Sequence, residues 1–147
     1  MRALFRILLL SLLLFQINNA FILFSNKDPE LEIEYEKILT IVKQHCEPNQ
    51  YYLPEKVIVK FDKLTEEIAY CQIRLNGFKL VFDKHYWKDY TLPIDKTQLM
   101  MHEMTHCLFK QNHVSDSSHF MAPFFVSIPE AILYKQFDDF LRNRCGK

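Results

Sequence analysis

The segment HEMTHCLFKQNHVSDSSHFMAP, residues 102–123, decides which fold we expect for this chain. It begins with His102 and His106, which lie four positions apart in an apolar stretch with helical periodicity. Residues four apart share one face of an α-helix, so the two imidazoles can bind one Zn²⁺. Glu103, beside the first histidine, can then reach the open coordination position where water binds. The segment therefore predicts a zinc-binding helix that carries a general base.

Two later residues extend this pattern beyond the helix. His113 follows His106 by seven positions, and Met121 follows His113 by eight, with Pro123 two residues later. This order resembles the metzincins, and within them the matrixins, in which a third histidine lies past the helix end and a Met-containing turn passes beneath the metal. The resemblance implies that His113 is the third zinc ligand. It also implies that Met121 packs as the hydrophobic floor of the site.

The turn between the second and third histidines departs from the metzincin pattern. Metzincins usually have glycine three residues after the second histidine, where this chain has Phe109, and the interval to His113 is one residue longer. The longer interval and the adjacent Cys107 are similar to small exported bacterial proteins with an HExxHC motif. Those proteins often have glycine at the place of Lys110. Without it, we expect Asn112 to adopt the left-handed conformation that the turn requires.

The resemblance implies an exported zinc-dependent endopeptidase, which hydrolyses peptide bonds through a zinc-bound water and the general base Glu103. A peptide or protein substrate would lie extended against an edge strand, for which Phe78–Phe82 is the candidate. Residues 122–125 would form the wall of the pocket beyond the cleaved bond. The main alternative is a non-catalytic, exported binding module in which zinc only stabilises the fold. A chance HExxH in an interaction module and a non-peptide amide substrate also stay open.

Other side chains are weaker candidates for metal binding. His119, in the polar loop that follows His113, is the alternative third ligand. Glu130 could bind the metal from the next helix, but the order Ser127-Ile128-Pro129-Glu130 favours a capping box. His45 and His85 stand alone in the sequence, so we expect them to be structural or surface residues.

The flanking sequence predicts an α+β fold. Asp28 and Pro29, followed by acidic residues, predict an N-terminal helix that ends near Cys46. Apolar alternation predicts strands, and helical periodicity predicts two further helices. The predicted strands are Lys56–Phe61, Ile68–Leu75 and Phe78–Phe82, and the predicted helices are Ile94–Phe109 and Ser127–Arg144.

Details of these elements can also be predicted. Asn76-Gly77 favours a type I′ hairpin between the second and third strands. The last helix should bury one stripe of side chains, Ile132, Phe137, Phe140 and Leu141. We therefore expect a small metzincin-like domain with a short, mostly antiparallel sheet, an N-terminal helix, the metal-binding helix, a Met-turn and a C-terminal helix.

The N-terminal residues predict export. Arg2 and Arg6 precede an apolar run from Ile7 to Phe15, and Ala20 suits the position before a cleavage site, so residues 1–20 read as a signal peptide. An uncleaved membrane anchor that extends to residue 24 is the alternative. Residues 27–147 would then form a single zinc metallopeptidase-like domain, either periplasmic or secreted.

Cys46, Cys71, Cys107 and Cys145 all follow this segment. An even number of cysteines in an exported chain favours disulfides, and four cysteines allow three pairings. Pairs that tie neighbouring elements would be Cys46–Cys71 and Cys107–Cys145. Metal binding by the thiolates is less favoured, because the sequence has no C-x-x-C pair.

The charge balance argues against an electrostatic partner. Lys plus Arg and Asp plus Glu both number 18, so no net field attracts nucleic acid or an anionic membrane. We expect a monomer that binds a peptide or protein substrate, does not bind nucleic acid, and contacts a membrane only if the N-terminal segment stays uncleaved.

Overall fold

The computed structural model describes residues 27–89 and 92–146, so the predicted signal peptide or anchor within residues 1–24 lies outside the described residues. The described part has four helices and three strands, and the predicted α+β class is confirmed. No helix in these ranges is both long enough and apolar enough to cross a bilayer. In chain order the elements are α1 (Pro29–His45), β1 (Lys56–Asp62), β2 (Ala69–Arg74), β3 (Gly77–Asp83), α2 (Lys84–Asp89), α3 (Pro93–Phe109) and α4 (Glu130–Cys145).

Helix α1 begins and packs as the sequence predicts. The Asp28 carboxylate accepts a hydrogen bond from the Glu30 backbone N–H at 3.1 Å, and Pro29 occupies the first turn. The predicted apolar face is buried and packs against α3 and α4. Its buried side chains are Leu31, Tyr35, Ile38, Leu39 and Val42.

The sheet is mixed, with strand order β1-β3-β2. β1 runs parallel to β3, whereas β2 runs antiparallel to it, so the sheet is not mostly antiparallel. Phe78–Phe82 lies in β3, the central strand, whose two edges are already hydrogen-bonded. The prediction that this segment is the substrate-binding edge is therefore wrong. The outer strand that packs against α3 is β2.

The hairpin between β2 and β3 does not use the predicted type I′ turn. Arg74 pairs with Gly77, which leaves Leu75 and Asn76 as the turn residues, and neither has a positive φ. Gly77 is required for another reason. A Cβ at that position would lie 2.2 Å from the backbone oxygen of Lys56 on β1. Glycine here permits the close approach of β1 rather than a left-handed turn.

Helix α2 was not predicted, because its sequence reads as a polar and aromatic connection. It is nucleated by the Asp83 carboxylate, which accepts hydrogen bonds from the backbone N–H groups of Leu64 and Tyr86 at 2.8 and 2.7 Å. Trp87 fills the core above the sheet, with its ring centroid 5.2 Å from that of Phe82.

Helix α4 lacks the predicted capping box and buries a different stripe. The Ser127 hydroxyl donates to Asp95 on α3 at 2.6 Å, and α4 starts at Glu130 without a side-chain cap. Ile132 is 48% exposed, whereas the adjacent Leu133 is fully buried. The helix therefore begins later than predicted and turns a neighbouring face to the core. Phe137 and Leu141 are buried as expected.

Both predicted disulfide pairings are wrong. The structure joins Cys46 to Cys145 and Cys71 to Cys107. The C-terminal ends of α1 and α4 lie side by side although they are 99 residues apart, and β2 packs along α3. Spatial neighbours, rather than neighbours in sequence, therefore determine the pairing.

Candidate metal centre

Three of the predicted ligands meet at one point. The Nε2 atom of His102 lies 3.0 Å from that of His106 and 3.1 Å from that of His113, and the third distance is 3.2 Å. Within the described ranges, this is the one cluster of His, Cys, Asp or Glu side chains that could hold a metal ion. The i, i+4 spacing on α3 brings the first two histidines together, and the loop after the helix returns the third.

The cluster has the dimensions of a zinc site. Nitrogen ligands at about 2.0–2.1 Å from a tetrahedral Zn²⁺ lie about 3.3 Å apart, close to the spacing of the three Nε2 atoms. Neutral imidazoles whose Nδ1 atoms carry the proton would point three unshared electron pairs at one another. A cation between them turns this repulsion into coordination. The donor set therefore fits a divalent metal and leaves a fourth position for water or substrate.

Backbone carbonyls fix two of these rings in the required tautomer. His102 donates from Nδ1 to the Phe120 carbonyl at 2.8 Å, and His106 donates from Nδ1 to the Gln111 carbonyl at 2.5 Å. A carbonyl can only accept, so the proton is on Nδ1 and Nε2 is free to bind a metal.

The turn after α3 is made at Lys110, which has φ 53° and ψ 35°. Lys110, and not Asn112 as predicted, is the left-handed residue. Lys110 has a Cβ, unlike the glycine usual at such a position, so the chain turns there at the cost of some backbone strain. The Val114 N–H then donates to the Met121 carbonyl at 3.0 Å, which holds the segment of His113 against the turn at residues 117–121, here termed the Met-turn.

The electrostatic environment favours neutral histidines. Burial, together with the charges of His106 and His113, lowers the pKa of His102 to about 4, although its bond to Phe120 acts in the opposite direction. Burial also lowers the pKa of His106. Both rings are therefore uncharged at neutral pH, which is the form that coordinates metals.

Glu103 lies beside the cluster but is not one of its members. Its side chain is almost entirely buried, and burial raises its pKa to about 8, with a smaller contribution in the same direction from the negative charge of Glu67. A hydrogen bond from the backbone N–H of Cys71 on β2 lowers the pKa of Glu103 and offsets part of this rise. The carboxyl group can therefore exchange a proton near neutral pH.

The other candidate ligands lie apart from the cluster. His119 accepts a hydrogen bond from the Met121 N–H at its Nδ1 atom, so it stabilises the Met-turn. Met121 is fully buried. His45 pairs with Asp138 on α4 at 2.8 Å. Glu130 and His85 are exposed.

The three histidines lie at the base of a cleft of about 830 Å³. Strand β2 forms one wall, through residues that include Ile68, Cys71 and Ile73. Residues 122–125 form another wall of the cleft. The side chain of Phe124 is 70% exposed on this wall.

Two glutamines near the site were missed by the sequence reasoning. Gln98, four residues before His102 on α3, donates to the Val126 carbonyl at 2.8 Å and accepts from the Ile128 N–H at 3.0 Å. Its helical spacing from His102 could have identified it as a residue on the cleft face. Gln136 on α4 contacts the Met-turn, and no local pattern in the sequence indicates this.

Comparisons with models of protein families, with curated protein sequences and with solved structures give no match to this chain.

Proposed function

We propose that this protein is a zinc-dependent peptidase. The observation that carries the proposal is the convergence of three histidine Nε2 atoms, beside the buried carboxyl group of Glu103, at the base of an open cleft. A purely structural zinc site is normally closed by four protein ligands, whereas a catalytic site keeps one position open. The three-histidine set supports the catalytic type.

The residues around the cleft have separate roles in this proposal. A bound Zn²⁺ supplies Lewis acidity, which acidifies water and polarises a substrate carbonyl. The Glu103 carboxylate takes a proton from the attacking water and returns it to the nitrogen of the leaving amine. Its raised pKa suits this exchange, and a nearby divalent cation would lower that pKa toward neutrality by favouring the carboxylate. Burial lowers the pKa of His102 and of His106 and so favours the neutral rings, and backbone carbonyls keep the single proton of each ring on Nδ1.

The cleft supports a peptide as the substrate. β2 is hydrogen-bonded to β3 on one side, and its other side faces the cleft. An extended peptide could therefore add to this edge through backbone hydrogen bonds, as many peptide ligands do. The exposed ring of Phe124, which also lines the cleft, favours an apolar substrate side chain beyond the cleaved bond.

We also propose that the protein is exported. The N-terminal sequence predicts a signal peptide or membrane anchor, and the described domain has two disulfides and no free cysteine. Disulfides form and persist in oxidising compartments such as the periplasm or the extracellular space.

One observation favours the non-catalytic alternative. Glu103 receives a hydrogen bond from the Cys71 N–H, so this carboxyl group also has a structural role in joining α3 to β2. A binding module with structural zinc could retain Glu103 for this reason. A test of the chemistry of Glu103 therefore distinguishes the two hypotheses directly.

The test combines zinc analysis with a peptide-library cleavage assay on wild type, Glu103→Gln and His113→Ala, with His119→Ala as the matched histidine control. The peptidase proposal expects about one zinc per wild-type chain, loss of zinc in His113→Ala and retention in His119→Ala. Glu103→Gln should keep zinc but lose cleavage, by about 100-fold or more. Stoichiometric zinc without cleavage of any library peptide would support the binding module, and absence of zinc would exclude both.

A further inference from the structure

Gln136 links α4 to the backbone of the Met-turn by two hydrogen bonds. Its Oε1 atom accepts from the Phe120 N–H at 2.9 Å, and its Nε2 atom donates to the Ser118 carbonyl at 3.0 Å. The amide therefore contacts the turn on both sides of residue 119. The Phe120 ring packs against Phe137 and Phe140 of the same helix, with ring centroids 5.6 and 6.0 Å apart.

Phe120 is also the residue that orients the first metal ligand. Its carbonyl accepts the Nδ1 proton of His102, and the N–H of the same peptide unit, that of Met121, donates to His119. The direction of this peptide unit sets the direction of the His102 ring. Gln136 binds the preceding peptide unit, between residues 119 and 120, through the Phe120 N–H.

We propose that Gln136 is a positioning residue of the metal centre, which acts through the Phe120 backbone to orient His102. The inference rests on the proposed zinc site. Loss of a group that accepts from the second nitrogen of a ligating histidine, as the Phe120 carbonyl does, typically changes metal affinity by 10- to 100-fold, and Gln136 acts on that group.

The chemistry of the primary amide is specific to this role. Glutamine supplies one acceptor for the Phe120 N–H and one donor for the Ser118 carbonyl. Glutamate can accept but cannot donate, and its carboxylate would face the Ser118 oxygen. Leucine has a similar volume and can do neither. Gln136→Glu should therefore remove the hydrogen bond to the Ser118 carbonyl, and Gln136→Leu should remove both hydrogen bonds.

The chain contains a matched control, Gln50, which contacts the C-terminal end of α4. Gln50 accepts from the Glu47 N–H at 2.7 Å and donates to the Cys145 carbonyl at 2.9 Å. This is the same pair of hydrogen bonds between a glutamine side chain and the backbone, but it lies near the Cys46–Cys145 disulfide and outside the cleft. Gln50→Leu should therefore cost folding stability without disturbing His102.

The experiment measures zinc affinity by competition with a chromophoric chelator, and the visible spectrum of the Co²⁺-substituted protein, for wild type, Gln136→Glu, Gln136→Leu and Gln50→Leu. We expect zinc affinity to fall by about 10-fold in Gln136→Leu, the lower end of the range for a direct partner, and by less in Gln136→Glu, with an altered Co²⁺ spectrum. Gln50→Leu should bind zinc within about twofold of wild type, because the backbone groups that Gln50 contacts do not orient a histidine of the cluster.

Circular dichroism of the metal-free proteins checks that each variant folds, and Gln136→Glu keeps the test informative if Gln136→Leu does not. If zinc binds to wild type and the folded Gln136 variants match Gln50→Leu in affinity and spectrum, the positioning role is overturned while the metal site stands. If wild type binds no zinc, the proposed function fails and the positioning role fails with it.

Discussion

Cys71 on the edge strand β2 forms a disulfide with Cys107 on α3, the residue that directly follows His106. The backbone N–H of Cys71 is also the group that contacts Glu103. This bond therefore fixes the distance between the strand that lines the cleft and the helix that carries Glu103. The second disulfide, Cys46–Cys145, joins the far ends of α1 and α4.

The two disulfides should have separable effects. Removing Cys46–Cys145 by double serine substitution should destabilise the fold by about 4.7 kcal/mol, and removing Cys71–Cys107 by about 3.8 kcal/mol, because the closed loops span 99 and 36 residues. Zinc affinity should fall only in the second variant. Urea unfolding and zinc titration measure the two effects. Equal loss of zinc affinity in both variants would contradict the assignment of this effect to the Cys71–Cys107 disulfide.

Metal removal should destabilise the protein. Zinc at 100 times its dissociation constant stabilises a folded protein by about 2.7 kcal/mol if the unfolded chain does not bind it. We therefore expect chelation to lower the Tm of wild type, and His106→Ala to show no response to chelator. His85→Ala is the control, because the His85 side chain is 89% exposed and pairs only locally with Asp89. Scanning calorimetry with and without chelator makes the comparison.

The stability of the metal-free protein should depend on pH through Glu103. Burial raises its pKa from 4.5 to about 8, so the folded state binds more protons than the unfolded state between these values. Its contribution to stability is complete below pH 4.5 and is lost as the pH rises through 8. Glu103→Gln lacks this dependence. The Tm of this variant should therefore rise relative to wild type between pH 5 and pH 9.

The measurement is the difference in Tm between the two metal-free proteins across this range. His102, whose pKa is lowered by burial, favours the folded state less as the pH falls, but it is present in both proteins and its effect largely cancels. A difference in Tm that stays constant with pH would show that the carboxyl group does not titrate in this range.

Lys110→Gly should stabilise the protein. A non-glycine residue in the left-handed region costs about 1–2 kcal/mol, and the greater freedom of unfolded glycine offsets about 0.5–1 kcal/mol of that gain. We expect a net increase of about 0.5–1 kcal/mol in the free energy of unfolding, measured with urea. Asn112→Gly is the control and should not stabilise, because Asn112 has no positive φ. The reverse ranking would place the strain at Asn112.

Local patterns predicted helices α1 and α3 well. The apolar spacing of α1, its Asp28 cap and the span of α3 follow from contacts between residues at most four apart, and these are confirmed. The convergence of His102 and His106 has the same local origin.

Turns and caps were predicted less well, because they depend on what packs against them. Ser127 bonds to Asp95 on α3 instead of capping α4, and Gly77 accommodates β1 instead of forming a type I′ turn. In both cases a contact between distant parts of the chain overrides the local preference.

The sequence by itself therefore determined the α+β class, the helix that carries His102, Glu103 and His106, and the expectation of a zinc site. The tertiary structure decided that β2 rather than β3 is the edge at the cleft, which cysteines pair, that the turn is made at Lys110, and that Gln136 holds the Met-turn. The reason is that each of these depends on elements far apart in the chain, whose packing no short-range pattern of side chains records.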